Sequence, residues 1–279
     1  MSVFESEGLS FGQGTSDAFE EAAWLILWSL DLPRDRLDDF RESHIAVPEW
    51  QRMVRSLRQR VDQRLPMSYI TGEAWLSGLR FRSDPRALIP RSLLVEALSF
   101  SIEEGLITKP ETILDLCTGS ASVLIHAGYR FPSAKLMASD LSHDALALAQ
   151  LNLADHGMLP RAHIQQGSVL DPWNHERFDL ILCNPPYVNE RSMGSLPAEF
   201  RAEPQLALHG GSDGMDFCRM FLRKAVSHLS PQGTILLEIG HEARHFDAAF
   251  PKLNKTWIPV SAGEHMVVML DRKALERLD

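Results

Sequence analysis

The stretch T-I-L-D-L-C-T-G-S-A, residues 112–121, decides the fold of this chain. Its first half is apolar apart from Thr112 and Asp115, which is typical of a short buried strand. The small residues that follow predict a turn into a helix, at which the backbone can approach a ligand closely. In open α/β sheets, ligands bind beyond the carboxyl ends of the strands, so this turn is the first candidate site.

Downstream of this stretch, strand-like and helical segments alternate to the end of the chain. The strand candidates are residues 112–116, 135–140, 162–166, 178–183, 234–240, 256–260 and 265–270. Such alternation predicts an α/β fold with a mostly parallel, doubly wound sheet. The last two strands are joined only by S-A-G-E, so we expect them to pair antiparallel at one edge of the sheet.

The sequence before residue 92 has a different texture. Residues 1–16 are rich in serine, glycine and acidic residues, and we expect them to be frayed. Residues 66–91 carry prolines, glycines and aromatic residues, which predict a hairpin-like connector. We therefore divide the chain into a helical domain (1–65), a connector (66–91) and an α/β domain (92–279).

Helical spacing within residues 18–65 predicts three helices, of which the second, near residues 34–43, is short. The first has an apolar stripe of Phe19, Ala22, Ala23, Ile26, Leu27 and Leu30. The third has a stripe of Trp50, Met53, Val54, Leu57, Val61 and Leu65. The other face of the third helix carries Arg52, Arg55, Arg58, Arg60 and Arg64. We expect this basic face to be solvated; contact with an acidic partner or RNA is the alternative.

Composition narrows the class of protein. The chain has 279 residues, a formal net charge of −9 and three cysteines. No run of about 18 uncharged apolar residues is present, so we expect no transmembrane helix. The start lacks the basic residues and cleavage site of a signal peptide, and three cysteines suit a reducing cytoplasm. An acidic chain is a poor candidate for direct sequence-specific binding of nucleic acid.

The second strand candidate ends in Asp140. At about this distance from a small-residue turn, nucleotide-binding α/β proteins place an acid on ribose hydroxyls. The turn has a single glycine, Gly119, and lacks the G-x-G-x-x-G pattern of dinucleotide sites. An acid before a wide turn suits a ligand held through adenosine and an amino-acid moiety, which indicates S-adenosylmethionine. An ordinary turn with a helix-capping aspartate is the alternative.

The fourth strand candidate stops at Asn184-Pro185-Pro186-Tyr187. Prolines donate no backbone hydrogen bond, so the strand cannot continue through them and their carbonyl groups stay outside the sheet. An asparagine carbonyl accepts one amino hydrogen, a proline-linked carbonyl accepts another, and the tyrosine ring offers a face to a planar group. The motif therefore predicts a clamp for a planar –NH₂ group. A proline-rich loop without function is the alternative.

Together, D-L-C-T-G-S-A, Ser139-Asp140 and N-P-P-Y resemble the class I methyltransferases that act on planar nitrogens. Within these, residues 66–92 and 196–217 resemble the protein-glutamine methyltransferases. One bacterial branch of that family methylates the Gly-Gly-Gln glutamine of peptide-chain release factors, and another methylates large-subunit ribosomal protein L-three. The segments G-E-A-W (72–75), D-L-C-T-G-S and I-P-R-S resemble the ribosomal-protein branch.

The resemblance implies a role for each site residue. The methionine part of S-adenosylmethionine would be held by Asp115, Cys117, Thr118, Gly119, Ser120 and Ala121. Asp140 would bind the ribose, and Ser168 lies where relatives carry an aspartate near the adenine. Asn184, beside the cofactor, and the carbonyl of Pro185 or Pro186 would hold the substrate amide, with Tyr187 packed on it. Ala121 replaces a second glycine, which is tolerable if its φ is negative.

Three further features could mislead. H-E-A-R-H (241–245) matches a zinc-protease pattern, but it follows a strand directly and lacks a third ligand, so we predict no metal site. Cys117 and Cys183 should lie close together as packing residues, a catalytic thiol being the alternative. Residues 210–214 predict a turn before a helix, acting either as a substrate lid or as a simple cap.

The sequence therefore predicts glutamine methylation of ribosomal protein L-three. Methylation of release factors is the first alternative, and methylation of an adenine amino group in nucleic acid is the second. A catalytically inactive ribosome-assembly module is a third reading, motivated by Ala121 and Ser168. We expect the helical domain (1–65) to recognise the protein substrate.

Overall fold

The computed structural model describes residues 1–277, which form two compact units. The first unit contains residues 1–85, 89–91 and 196–203, and the second contains 86–88, 92–195 and 204 onward. Within the described range, no helix combines the length and apolar character needed to cross a bilayer.

The secondary structure elements are numbered in chain order. The helices are α1 (Ser2–Ser6), α2 (Ala18–Ser29), α3 (Val47–Asp62), α4 (Met67–Thr71), α5 (Leu94–Glu103), α6 (Ser122–Arg130), α7 (His143–Asp155), α8 (Glu190–Met193), α9 (Asp216–Ala225), α10 (Ala243–Ala249) and α11 (Arg272–Leu275). The strands are β1 (Glu73–Leu76), β2 (Leu79–Arg82), β3 (Thr112–Leu116), β4 (Lys135–Asp140), β5 (Ala162–Gln166), β6 (Phe178–Cys183), β7 (Leu229–Glu238), β8 (Thr256–Val260) and β9 (Gly263–Asp271). Short 3-10 helices occupy Leu37–Phe40, Leu159–Arg161, Asp171–Trp173, Ala198–Ala202, Gln205–Ala207 and Val226–His228.

The second unit is built on a seven-stranded sheet with the order β5-β4-β3-β6-β7-β9-β8. The strands from β5 to β7 pair in parallel, whereas β9 runs antiparallel to both β7 and β8. The prediction of a mostly parallel sheet with an antiparallel edge is therefore confirmed. β3 and β4 are neighbours, as are β3 and β6, so the predicted site strands are adjacent.

The strand bounds follow the sequence pattern closely. β3, β4, β5, β6 and β8 begin and end at the predicted residues. β7 begins at Leu229 rather than Thr234, because Leu229 pairs with Phe178 and an irregularity in register absorbs the intervening residues. Pro231 and Gly233 are typical turn residues, which is why the sequence pattern does not predict a strand here. Strands tolerate such residues where the pairing is irregular.

The central strands are buried on both faces. In β6 the residues from Leu180 to Cys183 are all fully buried. Because successive side chains of a strand point to opposite faces, both faces of the sheet must be covered. This explains why the site strands are nearly continuous apolar runs rather than alternating ones.

The parallel strands bring chemically important positions to one edge of the sheet. β3, β4, β6 and β7 run in the same direction and end at Leu116, Asp140, Cys183 and Glu238. The loops after these strands therefore meet at the carboxyl edge, which is where ligands bind in open α/β sheets.

The first unit has its own apolar core, which includes the N-terminal residues. Phe4 is 2% exposed and Leu9 is 7% exposed, and both pack in a cluster with Trp24, Met53 and Met67. The expectation that residues 1–16 are frayed is wrong. Those residues are polar in composition, but two apolar side chains suffice to fasten the segment to α2 and α3.

The buried face of α2 differs from the predicted stripe, whereas α3 keeps Met53, Leu57 and Val61 of its stripe in the core and differs at Trp50. Phe19 is 55% exposed and Trp50 is 59% exposed, although both were expected in the core. Arg60, expected on the solvated face, is 1% exposed, and its Nε donates to Glu21 at 2.5 Å. Arg60 also donates to Glu199 at 3.1 Å. The helical hydropathy pattern does not predict such a buried ion pair, because it assigns every charged residue to the surface.

The connector contains a tight hairpin. β1 and β2 pair antiparallel, with Leu76 opposite Leu79. The two turn residues between them, Ser77 and Gly78, both have positive φ, at 43° and 81°. This is the turn geometry that matches the natural twist of two paired strands.

Candidate active site

Asp115 is buried in β3, where its Oδ2 accepts a hydrogen bond from the Thr118 hydroxyl, with 2.6 Å between the two oxygens. Burial raises the pKa of Asp115 to about 7, while hydrogen bonds from Thr118 and from the backbone of Leu124 lower it. The carboxylate of Asp140 adds a like charge that raises this pKa further. No cationic side chain in the described range offsets these effects, so a cationic ligand would supply the missing counter-charge.

The loop after β3 has an unusual backbone. Cys117, Gly119 and Ala121 all have positive φ, at 56°, 54° and 62°. Ala121 was expected to be tolerable with a negative φ, and the structure does not meet that condition. A left-handed conformation costs a non-glycine residue about 1–2 kcal/mol. Two hydrogen bonds hold Ala121 in place, from its N–H to Thr118 and from the Ile125 N–H to its carbonyl oxygen.

Asp140 joins the ends of β3 and β4. Its Oδ2 accepts the backbone N–H of Gly119 and its Oδ1 accepts that of Ser142, both at 2.9 Å. Burial raises the pKa of Asp140, and the two hydrogen bonds, which lower it, offset only part of this effect. Asp140 therefore already shapes the glycine turn, in addition to the ribose contact that the sequence predicts for it.

Ser168 lies in the loop after β5 and is exposed. The preceding residue, Gly167, donates its N–H to the carbonyl oxygen of Asp140 at 3.1 Å. The loop with Ser168 is thus attached to the end of β4, on the side of the site away from β6.

The Asn184–Tyr187 clamp begins directly after β6, next to the loop after β3. Asn184 is half-buried, and its side chain makes no hydrogen bond to any residue in the range 1–277. An amide left unpaired at the edge of a rigid sheet is available to a ligand. Tyr187 is half-buried, and its hydroxyl donates to Oε1 of Glu238 at 2.9 Å.

Two glycines pack directly against the clamp, one against its backbone and one against its tyrosine ring. A Cβ atom at Gly210 would lie 2.6 Å from the carbonyl oxygen of Pro186, and one at Gly240 would lie 2.5 Å from the ring of Tyr187. Residues 208–211 also exchange backbone hydrogen bonds with Val188 and Glu190. The predicted turn at 210–214 is therefore hydrogen-bonded to the clamp segment and precedes α9.

Sequence reasoning missed Glu238 and Gly240 as parts of this site. Glu238 ends β7 and is 3% exposed. The available signal was E-I-G, a carboxylate and a glycine directly after an apolar strand, at the edge where the other site residues lie. A buried glutamate at a strand end requires hydrogen-bond donors nearby, which is itself a mark of a built site.

The H-E-A-R-H segment (241–245) takes part in hydrogen bonds near the clamp and starts a helix. Glu242 accepts a hydrogen bond from Nδ2 of Asn189 at 2.6 Å and also contacts Nδ1 of His245. Across residues 1–277, no group of three or more potential ligand side chains is arranged to hold a metal ion. α10 begins at Ala243, inside the motif, so the segment is a helix start after β7.

The three cysteines are free thiols. Burial, followed by a hydrogen bond with Cys117, raises the pKa of Cys183 well above its usual value. Burial also raises the pKa of Cys218 to about 12. A nucleophilic cysteine needs a lowered pKa, so the raised pKa values of Cys183 and Cys218 argue against either of them as a catalytic thiol.

The fold and the site define a class I methyltransferase. Residues 91–255 match the methyltransferase small domain family, and the chain belongs to that family. Its fold is similar to that of a methyltransferase from Pyrococcus furiosus, with a TM-score of 0.50 over 80% of this chain and 98% of that chain. That pair is 16% identical in sequence, so the likeness concerns the fold alone.

Curated relatives cover nearly the whole chain. It is 43% identical to a ribosomal protein uL3 glutamine methyltransferase from Bordetella pertussis, over 99% of this chain and 93% of the relative. It is 39% identical to the protein of the same name from Burkholderia pseudomallei, over 99% of this chain and 92% of the relative. The chain is an enzyme, and S-adenosylmethionine is the methyl donor of its class.

Proposed function

We propose that this enzyme methylates the side-chain amide nitrogen of a glutamine in ribosomal protein uL3. The observation that carries the proposal is the unpaired, half-buried amide of Asn184, beside the loop that Asp115 and Asp140 organise. The names of the 43% and 39% identical relatives support the choice of substrate.

S-adenosylmethionine supplies a methyl carbon on a positively charged sulfur, which is open to attack by a nitrogen lone pair. The residues around the loop after β3 fit this cofactor. Asp115, buried without a cationic neighbour in the described range, would hold its ammonium group, and residues Cys117–Ala121 would line its methionine part. Asp140 would accept hydrogen bonds from the ribose, and the exposed Ser168 would border the adenine.

The clamp would orient the substrate amide. The Asn184 side-chain oxygen accepts one amide hydrogen, and a proline carbonyl accepts the other. Gly210 packs against the Pro186 carbonyl oxygen, since a Cβ there would lie 2.6 Å from it, and this favours the Pro185 carbonyl as the second acceptor. Tyr187 would pack on the plane of the amide. Fixing both hydrogens aims the nitrogen lone pair, so much of the catalysis comes from orientation.

The reaction needs little acid–base chemistry. A bond forms between the amide nitrogen and the methyl carbon as the bond from carbon to sulfur breaks, and the nitrogen then loses a proton to solvent. The clamp oxygens stabilise the partial positive charge that develops on the N–H groups during attack.

The substrate assignment has a direct test. With S-adenosylmethionine labelled in its methyl group, we expect the enzyme to label unmethylated uL3 at one glutamine, located by mass spectrometry. Release factors and nucleic acid should stay unlabelled under the same conditions. Label on release factors alone would overturn the choice of substrate, and label on nucleic acid alone would overturn the choice of a protein amide.

Residues 1–65 are the proposed substrate-recognition domain, residues 66–91 its connector and residues 92–279 the catalytic domain. Three large apolar side chains near the start of α3 support this role, since Ile45, Val47 and Trp50 are 46%, 70% and 59% exposed. Exposed apolar clusters commonly mark protein-binding surfaces. We place the reaction in the cytoplasm, because reducing compartments keep cysteines as free thiols.

Replacing Trp50 by alanine should raise the KM for uL3 about tenfold, because buried aromatic anchors dominate protein interfaces. The kcat and the Kd for cofactor should not change, since Trp50 lies in the first unit and the site in the second. Phe19→Ala removes an aromatic ring of similar exposure, 55%, on α2 and serves as the control. Equal KM values for wild type and Trp50→Ala would remove this surface from the proposal.

A further inference from the structure

We infer that Glu238 is a positioning residue for methyl transfer, which holds the ring of Tyr187 at the angle the substrate amide requires. The inference deepens the proposed function and rests on it for the reaction that is measured. It starts from a carboxylate that is 3% exposed and lies at the carboxyl edge of the sheet, in a position with no role in the chemistry described above.

Glu238 lies at the end of β7, next to the strand that leads into the clamp. β7 pairs in parallel with β6, and Cys183 lies opposite Leu237 in the register. The residue after Cys183 is Asn184 and the residue after Leu237 is Glu238, so Glu238 lies beside the beginning of the clamp. A rigid strand therefore carries Glu238, which is the best support for precise placement.

Two contacts hold Tyr187, one at its hydroxyl and one along the edge of its ring. Its hydroxyl donates to Oε1 of Glu238 at 2.9 Å. Its ring lies so close to Gly240, whose φ is +53°, that a Cβ there would be 2.5 Å from ring carbon Cε2. A ring held at its hydroxyl and along its edge loses the freedom to rotate about χ1 and χ2. Both restraints come from E-I-G (238–240), which begins with the last residue of β7.

Hydrogen bonds from Ser92 and Leu93 hold the Glu238 carboxylate in turn. Its Oε2 accepts the Ser92 hydroxyl at 2.6 Å and the Leu93 backbone N–H at 3.0 Å. Both donors lie just before α5, directly after the connector. The two oxygens thus have separate duties, one toward Tyr187 and one toward the start of α5. A buried carboxylate with donors on both oxygens has a single preferred orientation.

Loss of the Glu238 carboxylate should slow methyl transfer. Glu238→Gln keeps the size of the side chain, but the amide accepts hydrogen bonds at only one of its two ends. The Tyr187 ring would then sample orientations away from the amide plane. Small misplacements of reacting groups cost up to about 100-fold in rate, so we expect kcat to fall between about 10-fold and 100-fold. The KM for uL3 and the Kd for cofactor should stay within about threefold.

A double-mutant cycle tests whether Glu238 acts through Tyr187. Tyr187→Phe removes the same hydrogen bond from the other side, and its kcat should be close to that of Glu238→Gln. Adding Glu238→Gln to Tyr187→Phe should then cause little further loss, since residues that act through one contact are not additive. If the two losses multiply instead, Glu238 does not act through Tyr187 and the inference fails.

Asp179→Asn is the matched structural control. Asp179 also bridges neighbouring strands, accepting from the Glu111 and Thr112 backbone, but it lies near the opposite end of β6. We expect this variant to lower the melting temperature without lowering kcat. A kcat loss in Asp179→Asn equal to that of Glu238→Gln would show that general destabilisation explains both, against the inference.

A second readout separates this inference from the proposed substrate. The chain has three tyrosines, so ring ¹³C labelling gives few signals, and Tyr187→Phe identifies the one from Tyr187. Glu238→Gln should shift and broaden that signal alone. If wild type does not label uL3, the proposed function fails, yet the NMR result still tests the contact. An unchanged Tyr187 signal in Glu238→Gln would overturn the inference whatever the substrate.

Discussion

Replacing Asn184 by alanine should lower the kcat for methylation of uL3 at least about 100-fold. The side-chain carbonyl is the proposed acceptor for one amide hydrogen, and misaligned reacting groups lose rate factors of this size. The half-buried side chain of Asn184 makes no hydrogen bond within residues 1–277, so the truncation breaks no internal contact of that kind. We therefore expect the melting temperature to change little while turnover is nearly lost.

The measurement is label transfer to uL3 at saturating cofactor, so that a weaker Kd does not imitate a slower reaction. Asn189→Ala is the matched control, because Asn189 lies on the same loop with its amide already bound to Glu242 and to the Ser192 N–H. That variant should cost stability and keep kcat within about threefold. Wild-type kcat in Asn184→Ala would remove the clamp from the proposed mechanism.

Replacing Asp115 by asparagine should have opposite effects on cofactor binding and on stability. Loss of one partner of a buried charge pair typically costs about 3–5 kcal/mol, which corresponds to a Kd for S-adenosylmethionine raised at least about 100-fold. In the cofactor-free enzyme the carboxylate is instead a cost, since burial raises its pKa to about 7 from an ordinary value of 3.8. We therefore expect the free enzyme to be more stable as Asp115→Asn at pH 8.

The pH dependence follows from the same shift. Between pH 4 and pH 7 the unfolded carboxyl group is ionised while the folded one keeps its proton, with a folded pKa of about 7. The folded state thus binds more protons, and the contribution of Asp115 to the free energy of unfolding falls as pH rises through this window. The stability advantage of Asp115→Asn should grow from near zero at pH 4 to its full size above pH 7.

Cofactor binding should change in the opposite direction, because only ionised Asp115 attracts the ammonium group. Below pH 7 we expect the Kd to rise by up to about tenfold per pH unit, and this slope should flatten in Asp115→Asn. Titration calorimetry between pH 5.5 and pH 8, with thermal melts of the free enzyme, measures both effects. A pH-independent Kd in wild type, or a less stable Asp115→Asn enzyme at pH 8, would contradict this role for Asp115.

Much of the α/β unit could be predicted because its signals are local. β3 and β6 are apolar runs ended by a small-residue turn or by prolines, and both start and stop where the pattern places them. The positions of Asp140 and Asn184 follow, since the carboxyl ends of parallel strands meet at one edge. The antiparallel pairing of β8 with β9 follows from the shortness of their connection.

The errors arose where contacts between distant residues set the structure. Arg60 and Glu199 are far apart in sequence, yet their ion pair buries Arg60, while Arg55 and Arg58 on the same basic face of α3 stay exposed. The positive φ of Ala121 depends on hydrogen bonds within a folded loop rather than on residue preference. The burial of Phe4 and Leu9 likewise depends on partners in α2 and α3.

The sequence by itself determined the class of fold, and it predicts the edge of the sheet at which the site lies and a nitrogen-binding role for Asn184-Pro185-Pro186-Tyr187. These properties depend on hydrophobic period, on turn residues and on donor and acceptor chemistry, all of which can be read from a single segment. Only the tertiary structure decided how Tyr187 is held, because Glu238 at the end of β7 and Gly240 just after it meet the ring only once β7 has paired with β6. Hydrogen bonds and van der Waals contacts act over a few ångströms in space and can join residues that are far apart in sequence. A pattern within one segment therefore cannot predict them.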